Sequence, residues 1–298
     1  MLQIVKALIP TPIKRAIRPA ISAPHEYWAQ YSARRESRRQ EVERVARRRS
    51  AAMRYYDQRL RMIEEWAPKH TEESNFYYDI TDRNKDYLAH TIAVVTSKNW
   101  AEVRSFIREL DEDQALRRHI VAALREIEPH AEIDVAYGRR CGWYAIARAL
   151  KPAVLIETGV DLGVGSCILA AALLRNAKEG FPGCYFGTDN RPDAGQLFSG
   201  HYAAQGSILY GDSLDTLKAF TEPIDLFIND SDHSPEYEAR EYDTIAAKLS
   251  PKAIMLGDNS HSTDCLSRFS TEQNRRFLFF KEEPKNHWYP GAGIGISY

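Results

Sequence analysis

Apolar and polar positions change their rhythm midway along the chain. Between Pro24 and Trp66 there is no glycine, and Val42, Val45, Ala46, Met53 and Leu60 fall near helical spacing among Arg, Glu, Ala and Gln. This predicts one or two long helices, stopped by Pro68. Helical spacing returns over 88–95, 100–110 and 115–127, where Pro129 ends it, and predicts a helical cap. After Ala131, short β-rich runs alternate with helical ones. Strands are expected at 153–157, 184–189, 207–211, 224–230, 253–258, 276–281 and 293–298, and helices at 143–150, 166–176, 194–204, 214–220, 235–249 and 264–269. Such alternation builds a parallel sheet covered on both faces. No helical run separates the last two strands, so they should pair as an antiparallel hairpin at the edge. The chain is thus expected to divide near His130 into a helical N-terminal extension, 1–130, and an α/β domain with a doubly wound seven-stranded sheet, 131–298.

Composition adds bounds rather than identity. With 44% hydrophobic and 27% charged residues the chain reads as an ordinary globular protein, and a net charge of -1 gives no overall attraction to nucleic acid, which is not expected as a partner. Eleven arginines between Arg34 and Arg61 make the long helix locally basic. A solvated helix face is the simpler reading, with phosphate or an anionic surface as the alternative. Residues 1–21 are apolar with Lys6, Lys14, Arg15 and Arg18 interspersed, but Pro10, Pro12 and Pro19 break the run short of the ~18 apolar residues a span needs, so neither a signal peptide nor a membrane span is expected. The four cysteines, Cys141, Cys167, Cys184 and Cys265, show no Cys-x-x-Cys spacing, which argues against a zinc knuckle or a disulfide framework and fits the cytoplasm.

Chemistry gathers where the strands end, as expected of a doubly wound sheet. The first strand closes on Glu157 and turns through Gly159, Gly163 and Gly165 into a helix starting near Ser166, the glycines letting backbone pass close to a ligand. The second closes on Asp189, followed by Asn190, where a carboxylate can accept both hydroxyls of a ribose. The third closes on Gly211-Asp212-Ser213, placing a second carboxylate for the exocyclic amine of adenine. A dinucleotide turn needs Gly-x-Gly-x-x-Gly so that pyrophosphate rests on the helix N-terminus; this turn reads Gly-x-x-x-Gly-x-Gly, and Glu157 would repel a pyrophosphate. An acidic first turn suits a cofactor bearing an ammonium and a sulfonium, namely S-adenosylmethionine. Ahead of it, Arg139 or Arg140 could pair with that cofactor's carboxylate.

Residues from about Tyr137 to Tyr298 resemble the class I methyltransferases, whose sheet is Rossmann-like. Within them they look most like the metal-dependent O-methyltransferases of the catechol, caffeoyl-CoA and macrolide- or aminocoumarin-sugar types. The resemblance rests on Glu157-Thr-Gly159…Gly163-Val-Gly165-Ser166, Asp189-Asn190-Arg191-Pro192, Gly211-Asp212-Ser213, Asp230-Ser231-Asp232-His233 and Asp258-Asn259. It implies that Asp230, Asp258 and Asn259 hold a divalent cation, an oxygen-rich set suited to Mg²⁺, Mn²⁺ or Ca²⁺, with Asp230 also beside the cofactor. Such an ion would hold an acceptor hydroxyl and lower its pKa. The family's general base is commonly a Lys shortly after the first Asp, or an Asp two beyond it in the sugar enzymes; here Asp232 and His233 stand at those places, and the base stays open between them. His261 joins as a further base or as a donor orienting Asp258.

The expectation is therefore a methyltransferase that modifies a hydroxyl of a small polar acceptor. A sugar or short oligosaccharide is favoured by Asp230-Ser231-Asp232-His233 and by the aromatic loop Asn286-His287-Trp288-Tyr289-Pro290-Gly291. Rival readings are a catechol-like phenol as acceptor, a metal-independent enzyme whose acidic cluster is structural, a non-catalytic nucleotide-binding scaffold, and a hydroxylase, for which no iron-binding His pair is evident. A homo-oligomer is compatible with all of these.

Overall fold

A computed structural model describes residues 11–69, 78–127, 129, 135–258 and 260–298, with side chains from His25 onward. Two compact units divide between Glu65 and Trp66. The first is dominated by one helix, α1 (Thr11–Trp66), not two. It starts ahead of Pro24, from where the sequence predicted a helix, and runs on through Pro19 and Pro24. Pro12 lies in the first turn, where a missing N–H has no partner to lose, while Pro19 and Pro24 each forfeit one bond of a ladder long enough to continue without them. Arg39 reaches Glu43 and Arg44 reaches Glu41 along its surface, while Trp28, Val42, Val45 and Tyr56 are exposed. No helix among the described residues is long and apolar enough to cross a membrane.

The second unit holds the sheet and the expected cap, α2 (Asp82–Thr96), α3 (Trp100–Asp111) and α4 (Gln114–Ile127), so these helices belong to the same compact unit as the strands. Thr81 and Asn99 accept from Asn84 N–H and Ala101 N–H, satisfying first-turn donors of α2 and α3. The residue-130 boundary itself lies outside the described residues.

Beyond Arg140 the order is α5 (Arg140–Leu150), β1 (Val154–Thr158), α6 (Val164–Lys178), β2 (Cys184–Asp189), α7 (Gly200–Ala203), β3 (Gly206–Tyr210), α8 (Ser213–Ala219), β4 (Ile224–Asn229), α9 (Pro235–Ile245), β5 (Leu249–Gly257), α10 (Cys265–Glu272), β6 (Phe277–Lys281) and β7 (Gly293–Ser297). The seven-stranded sheet runs β3-β2-β1-β4-β5-β7-β6, parallel as far as β5, with β7 antiparallel to both β5 and β6. This is the expected doubly wound, Rossmann-like sheet with its antiparallel C-terminal hairpin. Side chains alternate between its faces: Leu155, Leu226 and Leu256 pack with Trp143, Ile168 and Leu169 on one side, and Ile156, Phe227 and Met255 with Tyr242, Ile245 and Leu266 on the other.

One predicted helix fails. Of 194–204 only the single turn α7 forms, because Gly195 (φ 78°) and Gly200 (φ 58°) take left-handed backbone and this stretch spends N–H groups elsewhere. Gly195 N–H donates to the Asp161 carbonyl and Leu197 N–H to that of Leu162, so this stretch braces the β1–α6 turn instead of coiling.

Candidate functional site

The sheet reverses its winding between β1 and β4, and there the strand ends are laced together. Gly159 N–H donates to Thr188 O (2.8 Å), Asp230 N–H to Thr158 O (3.0 Å) and Asp258 N–H to Asn229 O (3.0 Å), so four successive strand ends are held in register by main chain. Gly159 makes this approach possible. At φ 80°, an added Cβ would lie 2.0 Å from the Asp230 carbonyl oxygen. Gly163, at φ 97°, turns the chain into α6.

Two cavities open at these ends. The smaller, about 240 Å³, is walled by the turn from Gly159 through Gly163 to Gly165, by Glu157, and by Tyr78, Tyr137, Arg139, Arg140, Asp230 and Tyr289. The larger, about 550 Å³, is walled by Asp189, Asn190, Asp212, Ser213, Tyr237, Asp230, Asp232 and His233. Arg140, Gly159, Asp161 and Asp230 belong to both walls, so the two form one cleft. Most of the expected cofactor residues thus come together. Ser166 does not reach the cleft: its hydroxyl bonds Glu157 (3.1 Å) and Tyr185 (2.6 Å) in the interior, steadying the Glu157 carboxylate from behind.

Glu157 is fully buried, and burial pushes its carboxyl up to about 7 against the hydrogen bond from Tyr185, the Arg140 charge and the hydrogen bond from Ser166. Both of those hydrogen bonds fall on Oε2, while Oε1 faces Gly165, where an added Cβ would lie 2.1 Å away. At the other end, Asp189 accepts from Asp161 N–H (3.0 Å) and Arg191 N–H (2.9 Å), which ties the first turn to the end of β2. Asp212 caps α8 through Leu214 N–H (2.8 Å) and takes the Tyr237 hydroxyl (3.0 Å) on the same oxygen, Oδ1. In Asp189 and Asp212 alike, cavity-facing acceptor capacity remains beyond these bonds.

Of the expected metal set, Asp230 and Asp258 fall among the described residues. Asp258 is fully buried, and both of its oxygens are engaged by Arg139, Nε to Oδ1 at 2.6 Å and Nη2 to Oδ2. Arg139 also reaches Tyr78 Oη (3.1 Å) and Glu282 Oε1 (3.3 Å) through Nη1, while Arg140 stands 3.6 Å from Asp230. The Arg139 charge holds the Asp258 carboxyl below its usual range despite burial, whereas burial and the Asp258 charge raise that of Asp230. Asn259 lies outside the described residues, and among those described no cluster of three His, Cys, Asp or Glu side chains is placed to hold a metal. A divalent ion at Asp258 would meet the guanidinium already paired there and the Arg140 cation beside Asp230, so the described residues fit a guanidinium better than a divalent ion. Arg139, expected at the cofactor's carboxylate, is committed to these acids. Arg140 is the arginine on both cavity walls, its guanidinium over the Trp143 ring at 5.3 Å and its Nε buried without a hydrogen-bond partner among the described residues.

The proposed bases separate. Asp232 and His233 lie on the larger cavity's rim; Asp232 accepts from Ser234 N–H (2.7 Å), and that bond holds its carboxyl below the usual range, making it a weak base. His261 is exposed and lines neither cavity; partial burial and the nearby Arg139 and Lys281 charges lower its pKa.

Sequence reasoning missed Glu241, Glu282, Tyr78 and Tyr137. Glu241, on α9, is fully buried and accepts from Thr158, Ser213, Asn229 and Ser231, clamping the ends of β1 and β4 to the start of α8. The one signal was its place beside Glu238 on a helix face carrying Tyr242 and Ile245. Tyr137, in the smaller cavity's wall, buries its hydroxyl without a hydrogen-bond partner among the described residues, and burial pushes that phenol up to about 12.

Residues 156–260 match the family model of a methyltransferase domain. Among solved structures, the chain is similar to the O-methyltransferase TomG of Streptomyces achromogenes, involved in tomaymycin synthesis and solved with S-adenosylmethionine (18% identity, 62% of this chain and 89% of that one, TM-score 0.44). It is also similar to an O-methyltransferase of Bacillus cereus in complex with S-adenosylhomocysteine (14%, 62% and 91%, TM-score 0.44) and to the Podospora anserina methyltransferase PaMTH1 (15%, 76% and 98%, TM-score 0.44). No curated protein matches the chain in sequence.

Proposed function

From the methyltransferase domain carried by residues 156–260, we propose that the chain transfers a methyl group from S-adenosylmethionine to a hydroxyl of a small polar acceptor, a sugar or short oligosaccharide being the favoured class. The observation carrying this reading is the single cleft with Glu157 in the wall of one cavity and Asp189 and Asp212 in the wall of the other, too acidic for a pyrophosphate and lined as an amino acid joined to a nucleoside requires. The orphaned Tyr137 hydroxyl and Arg140 Nε supply donors for the amino acid's carboxylate, and Glu157 Oε1 an acceptor for its ammonium. Asp189 is placed for ribose hydroxyls and Asp212 for an amine, as a nucleoside requires.

When bound, the cofactor supplies an electrophilic methyl on a sulfonium. The chain's share is to align the acceptor oxygen with that methyl and exclude water. His233, on the rim beside Asp230, is the better placed of the two bases to take the hydroxyl proton, since Asp232 is held ionised by its turn. Tyr78 and Tyr289 line the smaller cavity, and aromatic lining suits a sugar ring or a phenol, so a catechol-like acceptor is the second reading. Of the rival expectations, the metal-independent enzyme fits Arg139 and Asp258 better than the Mg²⁺ enzyme does.

Calorimetry with S-adenosylhomocysteine should give a saturable isotherm, and NAD none. Asp189→Ala should weaken that binding by about 10- to 100-fold, the worth of hydrogen bonds to a charged acceptor. Binding of NAD alone would sink the cofactor assignment. A methyl-donor assay across mono- and oligosaccharides and catechols then separates the two acceptor classes.

A further inference from the structure

We propose that the guanidinium of Arg139 is the resident cation of the carboxylate cluster at the ends of β4 and β5, standing where a divalent ion was expected, and that methyl transfer is assisted by this fixed charge and not by a metal. The second half rests on the methyltransferase reading; the first does not.

Three observations carry it. Every nitrogen of the guanidinium is used: Nε and Nη2 on the two oxygens of Asp258, Nη1 on Tyr78 and Glu282. The acids it holds are sealed from solvent, the Asp258 and Glu282 side chains both at 0% exposure, so the charge that balances them must be internal. The arm is also fixed at its root. Arg139 directly precedes α5, Gly142 N–H donates to its carbonyl (2.8 Å), and Gly138 before it takes φ 51° with Tyr78 packed 3.2 Å from where a Cβ would be.

A divalent ion at Asp258 would have to displace this guanidinium or sit against its charge, and would also face a second cation, since Arg140 lies 3.6 Å from Asp230. Displacing Arg139 would also strip Tyr78 and Glu282 of a partner, and Glu282 Oε2 already lacks a hydrogen bond. The cluster is closed to a metal by its own positive charges. Arg139 nevertheless walls the smaller cavity alongside Arg140 and Asp230. By neutralising Asp258 there, the permanently charged guanidinium lowers the repulsion that an acceptor oxygen meets as it loses its proton, part of the service otherwise expected of the ion. Because it acts through Asp258 and Tyr78 as well as through its field, Arg139 is a positioning residue.

The test is an electron paramagnetic resonance titration of the full chain with Mn²⁺, with and without S-adenosylhomocysteine, beside melting curves in Mg²⁺ and in EDTA. The expected result is a free-ion Mn²⁺ spectrum throughout, superimposable melts, and turnover unchanged by EDTA. Stoichiometric Mn²⁺ binding that Asp258→Asn abolishes overturns the proposal. Variants test the charge itself: Arg139→Lys should keep turnover within about tenfold, while Arg139→Met should lose about a hundredfold or more in kcat with KM little changed, the scale seen when one preorganised electrostatic donor is removed. Arg139→Met strands buried carboxylates, so if it fails to fold, the pair Arg139→Met with Asp258→Asn replaces it. Equal losses in the Lys and Met variants overturn the role of the charge. Failure of the wild-type chain to bind S-adenosylhomocysteine refutes the methyltransferase reading, while the Mn²⁺ result still decides which cation the cluster holds.

Discussion

Gly159→Ala is expected to abolish measurable S-adenosylhomocysteine binding and to lower the melting temperature by roughly 5–15 °C. The added methyl meets backbone, which cannot swing aside: the Asp230 carbonyl oxygen at 2.0 Å, its carbon at 2.6 Å and Ser231 Cα at 2.8 Å. The left-handed φ of 80° costs about 1–2 kcal/mol in a residue with a Cβ. Overpacking adds about 1–3 kcal/mol. Relief is possible only by parting β1 from β4, which breaks the bond from Asp230 N–H to the Thr158 carbonyl and displaces two residues shared by both cavities. Gly180 is the control. Its φ is similar at 89°, but a Cβ there meets nothing within 4 Å, so Gly180→Ala should melt within a few degrees of the parent and bind S-adenosylhomocysteine normally. Comparable binding losses in both variants would show that conformation, not the close approach of the two strand ends, is what the turn requires.

The residues that could be read from the sequence share one property, which is that their roles depend on local order. Glu157, Asp189, Asp212, Asp230 and Asp258 all sit at or just past the end of a β-rich run, and the topology of a doubly wound sheet brings such ends together whatever the rest of the chain does. Hydrophobic periodicity placed the seven strands, because alternate side chains enter different cores on the two faces. What could not be read is pairing across distance. Arg139 and Arg140 are adjacent and alike in the sequence, and only a contact 119 residues away, to Asp258, commits one of them to the acids and leaves the other on the cofactor wall. Glu282 and Tyr78 meet across 204 residues, which no motif announces. Glu241 is one of several acids on an amphipathic helix; its role comes from four donors on β1, β4, the loop after β4 and α8 converging on it. Gly195 and Gly200 both fall inside 194–204, the run expected to be helical. In the folded chain the two glycines let that stretch bond the first turn.

Affinity for S-adenosylhomocysteine is expected to rise about tenfold between pH 6 and pH 8 and then level off, as it must if the ligand's ammonium is met by a carboxylate titrating near 7. Burial is the main cause of the raised Glu157 value of about 7, and it works against the charged form. In the ligand-free protein the folded state therefore holds this proton more tightly than the unfolded chain, whose Glu titrates near 4.5. The stability so contributed is complete below that lower value and is lost as pH rises through about 7. A bound ammonium reverses the preference, because it pairs with the ionised carboxylate beside the oxygen that neither Tyr185 nor Ser166 occupies. Binding and proton loss are thus coupled, and ligand protection of the fold should grow with pH across the range in which the free protein loses stability. Glu157→Gln removes the titration while keeping the side chain's shape. It should bind about tenfold or more weakly at pH 8, in line with loss of one charge-assisted hydrogen bond, and show a flat profile. Calorimetry of both proteins at pH 6, 7 and 8 is decisive: a slope that persists in the Gln variant assigns the proton to another group and removes Glu157 from the ammonium's site.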